Sequence, residues 1–240
     1  MPLHSLSSNH FLSQIMSACK PATTKRIVAI FDFDKTVSTN DSYLSMSFFA
    51  LRYFPRRCFC LGRLLYALVL FYLGRIDNTG LKKRFLAALL GGMSRERLTP
   101  FFKAFSSYYL HHCLRRDALR QIRRHQAQGH ELVLASASFD FYISPLAAEL
   151  GFTQLFCTRA AWKEQKLDGI DGENCYGNNK LKAIQAFFAA SRDELHVIAY
   201  SDHHSDLPLL RWADQAYLVN PDRKTRKQAA GSGMEILCWA

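Results

Sequence analysis

The feature that most constrains this chain is the stretch Arg26–Asp41, RIVAIFDFDKTVSTND. Ile27, Val28, Ala29, Ile30 and Phe31 form an apolar run without polar alternation, the pattern of a strand covered on both faces. Asp32, Asp34 and Thr36 follow at once, separated by Phe33 and Lys35. Two carboxylates two residues apart beyond a buried strand repel each other unless a cation or a proton relieves them. In such a pair one carboxylate can attack while its neighbour moves a proton. Taken alone, Asp-x-Asp after a strand reads more simply as a solvated acidic turn, so the weight falls on what comes later.

Three further signals appear downstream in order. Ser136 closes a second apolar run beginning at Glu131, and Lys180 lies just inside a predicted helix start, Gly177-Asn178-Asn179. Asp202 and Asp206 follow a third apolar run from His196 to Tyr200, in the string SDHHSD. Together these groups resemble the four motifs of the haloacid dehalogenase (HAD) phosphohydrolase superfamily, over Ile27 to about Trp239. The strings LASASFDFYISPLAAELGF, NCYGNNKLKAI, YSDHHSDLPLL and LVNPDRKTRKQA are similar to its phosphoserine-phosphatase-like branch, subfamily IB. Within that branch, the DFDKT start and a long basic, leucine-rich insert are most similar to the phosphatidylglycerophosphatase C type.

The resemblance implies a phosphatase with Asp32 as nucleophile, forming an aspartyl-phosphate, and Asp34 as general acid and base. It implies Mg²⁺ held by the Asp32 carboxylate, the Asp34 carbonyl and Asp202, with Asp206 supporting or ligating. Ser136 and Lys180 are then the phosphate-binding groups. Asp41 falls near the place where phosphoserine phosphatases carry an acid that reads the substrate's amino group. An acid at position 34 favours phosphoryl chemistry, because halide departs without a proton. Lys35, where many relatives have Gly, and Ser201 and His203 beside Asp202 depart from the common pattern.

The expected fold is α/β: a HAD-like Rossmannoid parallel sheet with helices on both faces and an inserted helical cap of the C1 type. Residues 25–37 and 130–240 form the expected core, residues 38–129 the cap, and residues 1–24 a loose N-terminal arm. Helices are expected near Tyr43–Tyr53, Leu61–Leu73, Leu81–Leu90, Arg95–Leu110 and Asp117–Gln128 in the cap. The core adds helices at Tyr142–Leu150 and Asn179–Ala190, a possible strand at Phe152–Thr158 and a small hairpin within Lys166–Gly172.

Charge is unevenly placed. Asp41–His130 holds 16 Lys and Arg against four acids, while the whole chain nets only +11. Inside this segment, Leu64–Leu73 is ten apolar residues bracketed by Arg63 and Arg75, too short to span a bilayer. Two readings stand: a buried helix of the cap's own bundle, or an interfacial element that meets anionic membrane with the nearby aromatics and arginines. No nucleic-acid module accompanies the charge, and no nucleic-acid partner is expected. The expected substrate is a phosphomonoester of phospholipid type such as phosphatidylglycerophosphate. Phosphoserine or another small metabolite phosphate is the alternative, and a catalytically inactive membrane-peripheral binding protein a third.

Met1–Thr24 lacks the cationic start and apolar run of a secretory signal. The seven cysteines are odd in number and scattered, which fits reduced thiols. Cys58-Phe59-Cys60 finds no matching pair for a zinc site. The expected location is cytoplasmic, with possible peripheral contact at the inner membrane face.

Overall fold

The computed structural model describes residues 25–240; the expected N-terminal arm lies outside the described residues. The apolar run becomes strand β1 (Arg26–Phe31), and Val28 to Phe31 have no solvent exposure. It is central because both faces are apolar and both edges are paired. On one side lies β2 (Glu131–Phe139), on the other β5 (Leu195–Ser201), both parallel to it, with Phe31 opposite Leu134 and Tyr200. The sheet continues through β3 (Gln154–Lys163) and β4 (Lys166–Asp171) on one flank. On the other it ends with β6 (Gln215–Val219) and β7 (Glu235–Leu237), giving the order β4-β3-β2-β1-β5-β6-β7. All neighbours are parallel except β3 and β4.

Side chains alternate between two cores. Phe31, Leu134 and Tyr200 face one layer, and Phe31 stacks on Tyr200 at 4.5 Å. Val28, Ile30, Val197 and Ala199 face the other, against Ile184 and Phe188 of a helix on that side. Burying each such side chain contributes roughly 1.5–3 kcal/mol, which fixes the register of β1. Because the chain leaves β1 for β2 on one side while β5 lies on the other, a crevice opens beyond their carboxyl ends, where open sheets of this kind bind ligands.

Between β1 and β2 the chain forms α1 (Ser42–Tyr53), a 3₁₀ turn (Pro55–Cys60), α2 (Leu61–Tyr72), α3 (Asn78–Leu89), α4 (Arg95–His112) and α5 (Arg116–Ala127). A narrow neck closes most of this excursion: Ser38 bridges Leu114, Thr39 N donates to Cys113 O at 2.8 Å, and Arg115 N donates to Val37 O at 2.9 Å. Helix α5 follows the neck and lies against the sheet, burying Ile122 and His125; His125 Nε2 is 3.0 Å from Tyr200 Oη. The sequence boundary at residue 129 therefore encloses one helix that packs on the core.

Helix α3 begins earlier than expected because Asp77 caps it, accepting from Gly80 N at 2.7 Å. The hairpin expected inside Lys166–Gly172 is corrected: that stretch is one strand, and its partner is β3. The turn is Glu164-Gln165, both at positive φ, so the chain reverses before the Asp-Gly pairs. The reading of Leu64–Leu73 as a buried bundle helix is also corrected. In α2 only Leu64 and Ala67 are buried.

Candidate active site

Five residues expected at the site meet at the carboxyl edge of β1 and β5. Asp32 follows directly on β1, its amide donating to Tyr200 O at 2.9 Å. Lys180 comes from α6 (Asn178–Phe188), which starts after Gly177 at φ 57, a left-handed conformation that glycine adopts without strain. Its ammonium lies 2.7 Å from both Asp32 Oδ1 and Asp206 Oδ2, and all three side chains are buried. Ser201 donates to the same Asp206 oxygen at 2.8 Å. Thr36 Oγ1 is 3.4 Å from an oxygen of Asp32 and from one of Asp202. Asp34 lies on the loop after β1, where it accepts from Ser42 N and from Ser138 Oγ at 2.7 Å.

Ser136 is placed differently from its neighbours. It is fully buried, 3.4 Å from Asp34 Oδ2, and does not line the cavity, whereas Ser138 does. The cavity is about 220 Å³ and is walled by Asp32, Asp34, Asp41, Asp202 and Asp206 together with Lys35, Lys82 and Lys180. A larger groove of about 580 Å³, bounded by Phe102, Phe141 and Trp162, shares no residue with it. Asp41 sits at the rim and caps α1, accepting from Leu44 N at 2.8 Å. Burial, and then the nearby Asp34, raise its pKa.

So many carboxylates in one small space leave their mark on protonation. Burial raises Asp32 well above the ordinary range against the pull of Lys180, with Asp206, Asp202 and Asp34 adding to the rise. Asp202 is pushed up to about 7, by burial and then by Asp206. Lys180, the one lysine paired with them among the described residues, does not balance this set. Asp206 Oδ1 is buried without a hydrogen-bond partner, an orphan oxygen beside two other carboxylates. Among the described residues no three His, Cys, Asp or Glu side chains form a ready-made metal cage. The oxygen donors nevertheless fit a hard cation that completes its shell with water and substrate oxygens, the habit of Mg²⁺.

Sequence reasoning passed over two contributors. Ser138 was masked because Ser136 and Ser138 share one face of a regular strand. Lys82 stands in the string Lys82-Lys83-Arg84 and reads as one more solvated helix cation. The structure instead buries it at 6 % exposure, where its ammonium donates to Ala137 O and to Asn174 Oδ1 (3.2 Å). Burial lowers its pKa to about 8. Its folded-state pKa lies below the unfolded value, so between pH 8 and 10.5 the folded protein binds fewer protons and gains stability as pH rises. At neutral pH the charged lysine is thus a cost to folding. Lys82→Met is expected to change stability by no more than about 1 kcal/mol at pH 7, since lost hydrogen bonds and relieved burial offset each other. The same variant should lower kcat/KM at least about tenfold, because a fixed cation leaves the cavity. Thermal melts beside steady-state kinetics check both halves.

A mostly parallel sheet with a capped, carboxylate-lined crevice beyond β1 suits a phosphate-handling hydrolase of α/β architecture. The chain belongs to the haloacid dehalogenase-like hydrolases, whose family pattern matches residues 29–211. It is 30% identical over 224 residues to a Mycobacterium tuberculosis protein described as a probable phosphatase, covering 91% of this chain and 77% of that one. It is 29% identical to the protein CicA of Caulobacter vibrioides, covering 88% and 95% of the two chains. A Bordetella pertussis structure of unknown function has a TM-score of 0.78 at 22% identity, covering 89% of this chain and 99% of the other. A substrate-bound phosphoserine phosphatase has a TM-score of 0.60 at 17% identity, covering 89% and 92%. These two structures share the fold, and the family pattern gives it as HAD-like.

Proposed function

We propose that this phosphatase hydrolyses a phosphomonoester through an aspartyl-phosphate on Asp32, with Mg²⁺ held by Asp32, Asp202, the Asp34 carbonyl and, in support, Asp206. The observation that carries the reading is Asp32 at the end of β1, paired at 2.7 Å with Lys180, with Asp34 two residues on and turned to the same cavity. An Asp32 carboxylate oxygen attacks phosphorus, the ester P–O bond breaks, and Asp34 gives its proton to the departing alkoxide. Water then attacks the acyl phosphate, Asp34 takes its proton, and inorganic phosphate leaves with Asp32 restored. Lys180 neutralises phosphoryl charge, and Ser138, 2.7 Å from Asp34, orients that carboxyl; Ser136 supports Ser138, accepting from its amide at 3.0 Å. The bound cation supplies charge neutralisation at the phosphoryl oxygens.

For the substrate we favour a phosphate on a lipid headgroup, as in phosphatidylglycerophosphate. A cavity of about 220 Å³ takes a phosphate and a small headgroup, leaving acyl chains outside. Lys35 and Lys82 on its wall suit a second negative charge. Phosphoserine-like substrates are the second reading. Asp41 at the rim favours an ammonium, and a Neisseria meningitidis histidinol-phosphatase is 28% identical over 163 residues.

Steady-state kinetics on short-chain phosphatidylglycerophosphate and phosphoserine, with Mg²⁺ and with chelator, test the proposal. The expected result is a kcat/KM at least about tenfold higher for the lipid and loss of both activities in excess EDTA. A preference for phosphoserine assigns the second reading; full activity in EDTA overturns the cation. Melting curves add a readout apart from turnover. Asp32 and Asp202 are both raised, so the folded protein binds more protons than the unfolded chain between the ordinary 3.8 and about 7 and loses stability as pH rises through that window. A cation on the ionised carboxylates restores that stability, so Mg²⁺ should raise Tm more at pH 8 than at pH 5.5.

A further inference from the structure

The outward side of α2 is built contrary to the rule for a surface helix. Leu64 and Ala67 pack inward, and the opposite face should be polar. Instead Leu61, Leu65, Tyr66, Val69, Tyr72 and Leu73 all point to solvent, with Tyr72 83% exposed. On a 3.6-residue turn they form one continuous stripe, about 18 Å long at 1.5 Å per residue. Phe59 in the preceding 3₁₀ turn extends it and is 92% exposed. Arg52, Arg56, Arg63 and Arg75 are exposed around it, and none joins a salt bridge among the described residues. From Ser42 to Ile76 there is no Asp or Glu.

We propose that this face docks on an anionic membrane surface, with the α2 stripe and Phe59 entering the interface and the four arginines meeting lipid phosphates. Two physical facts select that occupant. A twofold contact with a second copy sets a patch against itself, which would bring like arginines together with no acid to pair them. A leaflet of anionic lipid offers what the face lacks: negative charge at headgroup height and apolar depth beneath. Helix α2 has 12 residues, and no helix among the described residues is long and apolar enough to cross a membrane, so it lies in the surface plane. Chain reach places the surface near the candidate active site. Asn78 lines the cavity and Arg75 is three residues before it, at most about 11 Å away.

Co-sedimentation at low salt with phosphatidylglycerol–phosphatidylcholine vesicles, and with phosphatidylcholine vesicles alone, tests the docking face. The protein is expected to bind the anionic vesicles and to be released by salt. Arg56→Glu/Arg63→Glu should weaken partitioning at least about 30-fold, taking about 1 kcal/mol for each basic residue. Leu65→Ser/Tyr72→Ser should weaken it about tenfold or more. Both pairs are exposed and outside the cavity, so hydrolysis of soluble p-nitrophenyl phosphate should not change. Asp32→Asn should bind vesicles like the wild type, which keeps this test separate from the proposed chemistry. Equal binding to neutral vesicles, or binding to neither, overturns the proposal. A solution dimer in sedimentation velocity that Leu65→Ser/Tyr72→Ser dissolves would also overturn it, giving the face to a second copy.

Discussion

Asp32→Asn should fold normally and lose turnover by at least about a thousandfold, with a much smaller change in KM. The substitution keeps the shape of the side chain and removes the charge that attacks phosphorus. Lys180 retains Asp206 at 2.7 Å, so the buried cation is not stranded. Removing one of several crowded carboxylates also relieves repulsion, since Asp206, Asp202 and Asp34 all push the Asp32 pKa upward. Stability should therefore stay within about 1–2 kcal/mol of the wild type. Rapid quenching with radiolabelled substrate should trap an acid-stable, base-labile phosphoprotein in the wild type and none in the variant. Near-normal turnover, or the same phosphoprotein from Asp32→Asn, removes the mechanism proposed for the site.

Lys180→Met should damage folding and activity together. The ammonium sits at 2.7 Å from two carboxylates, and its side chain and both of theirs are buried. The two acids hold its pKa well above the ordinary lysine value despite the opposing cost of burial. Taking away the shared cation leaves Asp32 and Asp206 facing each other without compensation, a loss of about 3–5 kcal/mol for a broken buried pair. For a chain of this size that corresponds to a fall in Tm of about 10 °C. The deficit should narrow as pH falls. Without Lys180, which lowers the Asp32 pKa, Asp32 holds its proton more tightly still than in the unfolded chain, so acid favours the folded form. Turnover should fall about a hundredfold or more even below the variant's Tm. A melt series from pH 5 to 8 beside kinetics at 15 °C separates the two losses. A variant that melts like the wild type at every pH would show that the triad carries no buried charge.

Much of this was legible in the chain because the motifs combine local signals with strong ones. A both-faces-buried strand has an unmistakable apolar run, and Asp32, Asp34, Lys180, Asp202 and Asp206 each stand just past a strand or just inside a helix. What stayed hidden depended on tertiary placement. Nothing local separates Lys82 from Lys83, yet α3 turns only the first of them into the cavity. Ser136 and Ser138 share a strand face, and the register of β2 shifts between Ala135 and Phe139, next to β3. The turn at Glu164-Gln165 has no glycine, so the two Asp-Gly pairs nearby attracted the reversal instead. Lys35 stood out beside the pattern of the resembled family, and its φ of 61° marks the same place as conformationally special. The loop after Asp34 passes through the left-handed region, where a lysine costs roughly 1–2 kcal/mol and brings an ammonium to the cavity in return.

The cap is fastened to the core unevenly. At the α4 end the attachment is main chain: Gly92 N donates to Leu167 O at 2.9 Å, Leu167 N to Met93 O at 3.0 Å, and Arg95 N to Gln165 O at 2.8 Å. At α3 it runs through side chains, with Lys82 reaching Ala137 and Asn174, and Asn174 Nδ2 donating to Thr79 at 3.1 Å. Separating the start of α4 from the sheet would break strand-like pairing, whereas separating α3 would break side-chain bonds and uncover Leu86 and Leu89, which are buried. Were α3 to move away from the sheet, Lys82 would be the group released first from Ala137 and Asn174, so the cation that lines the chamber is also the one that fastens its wall.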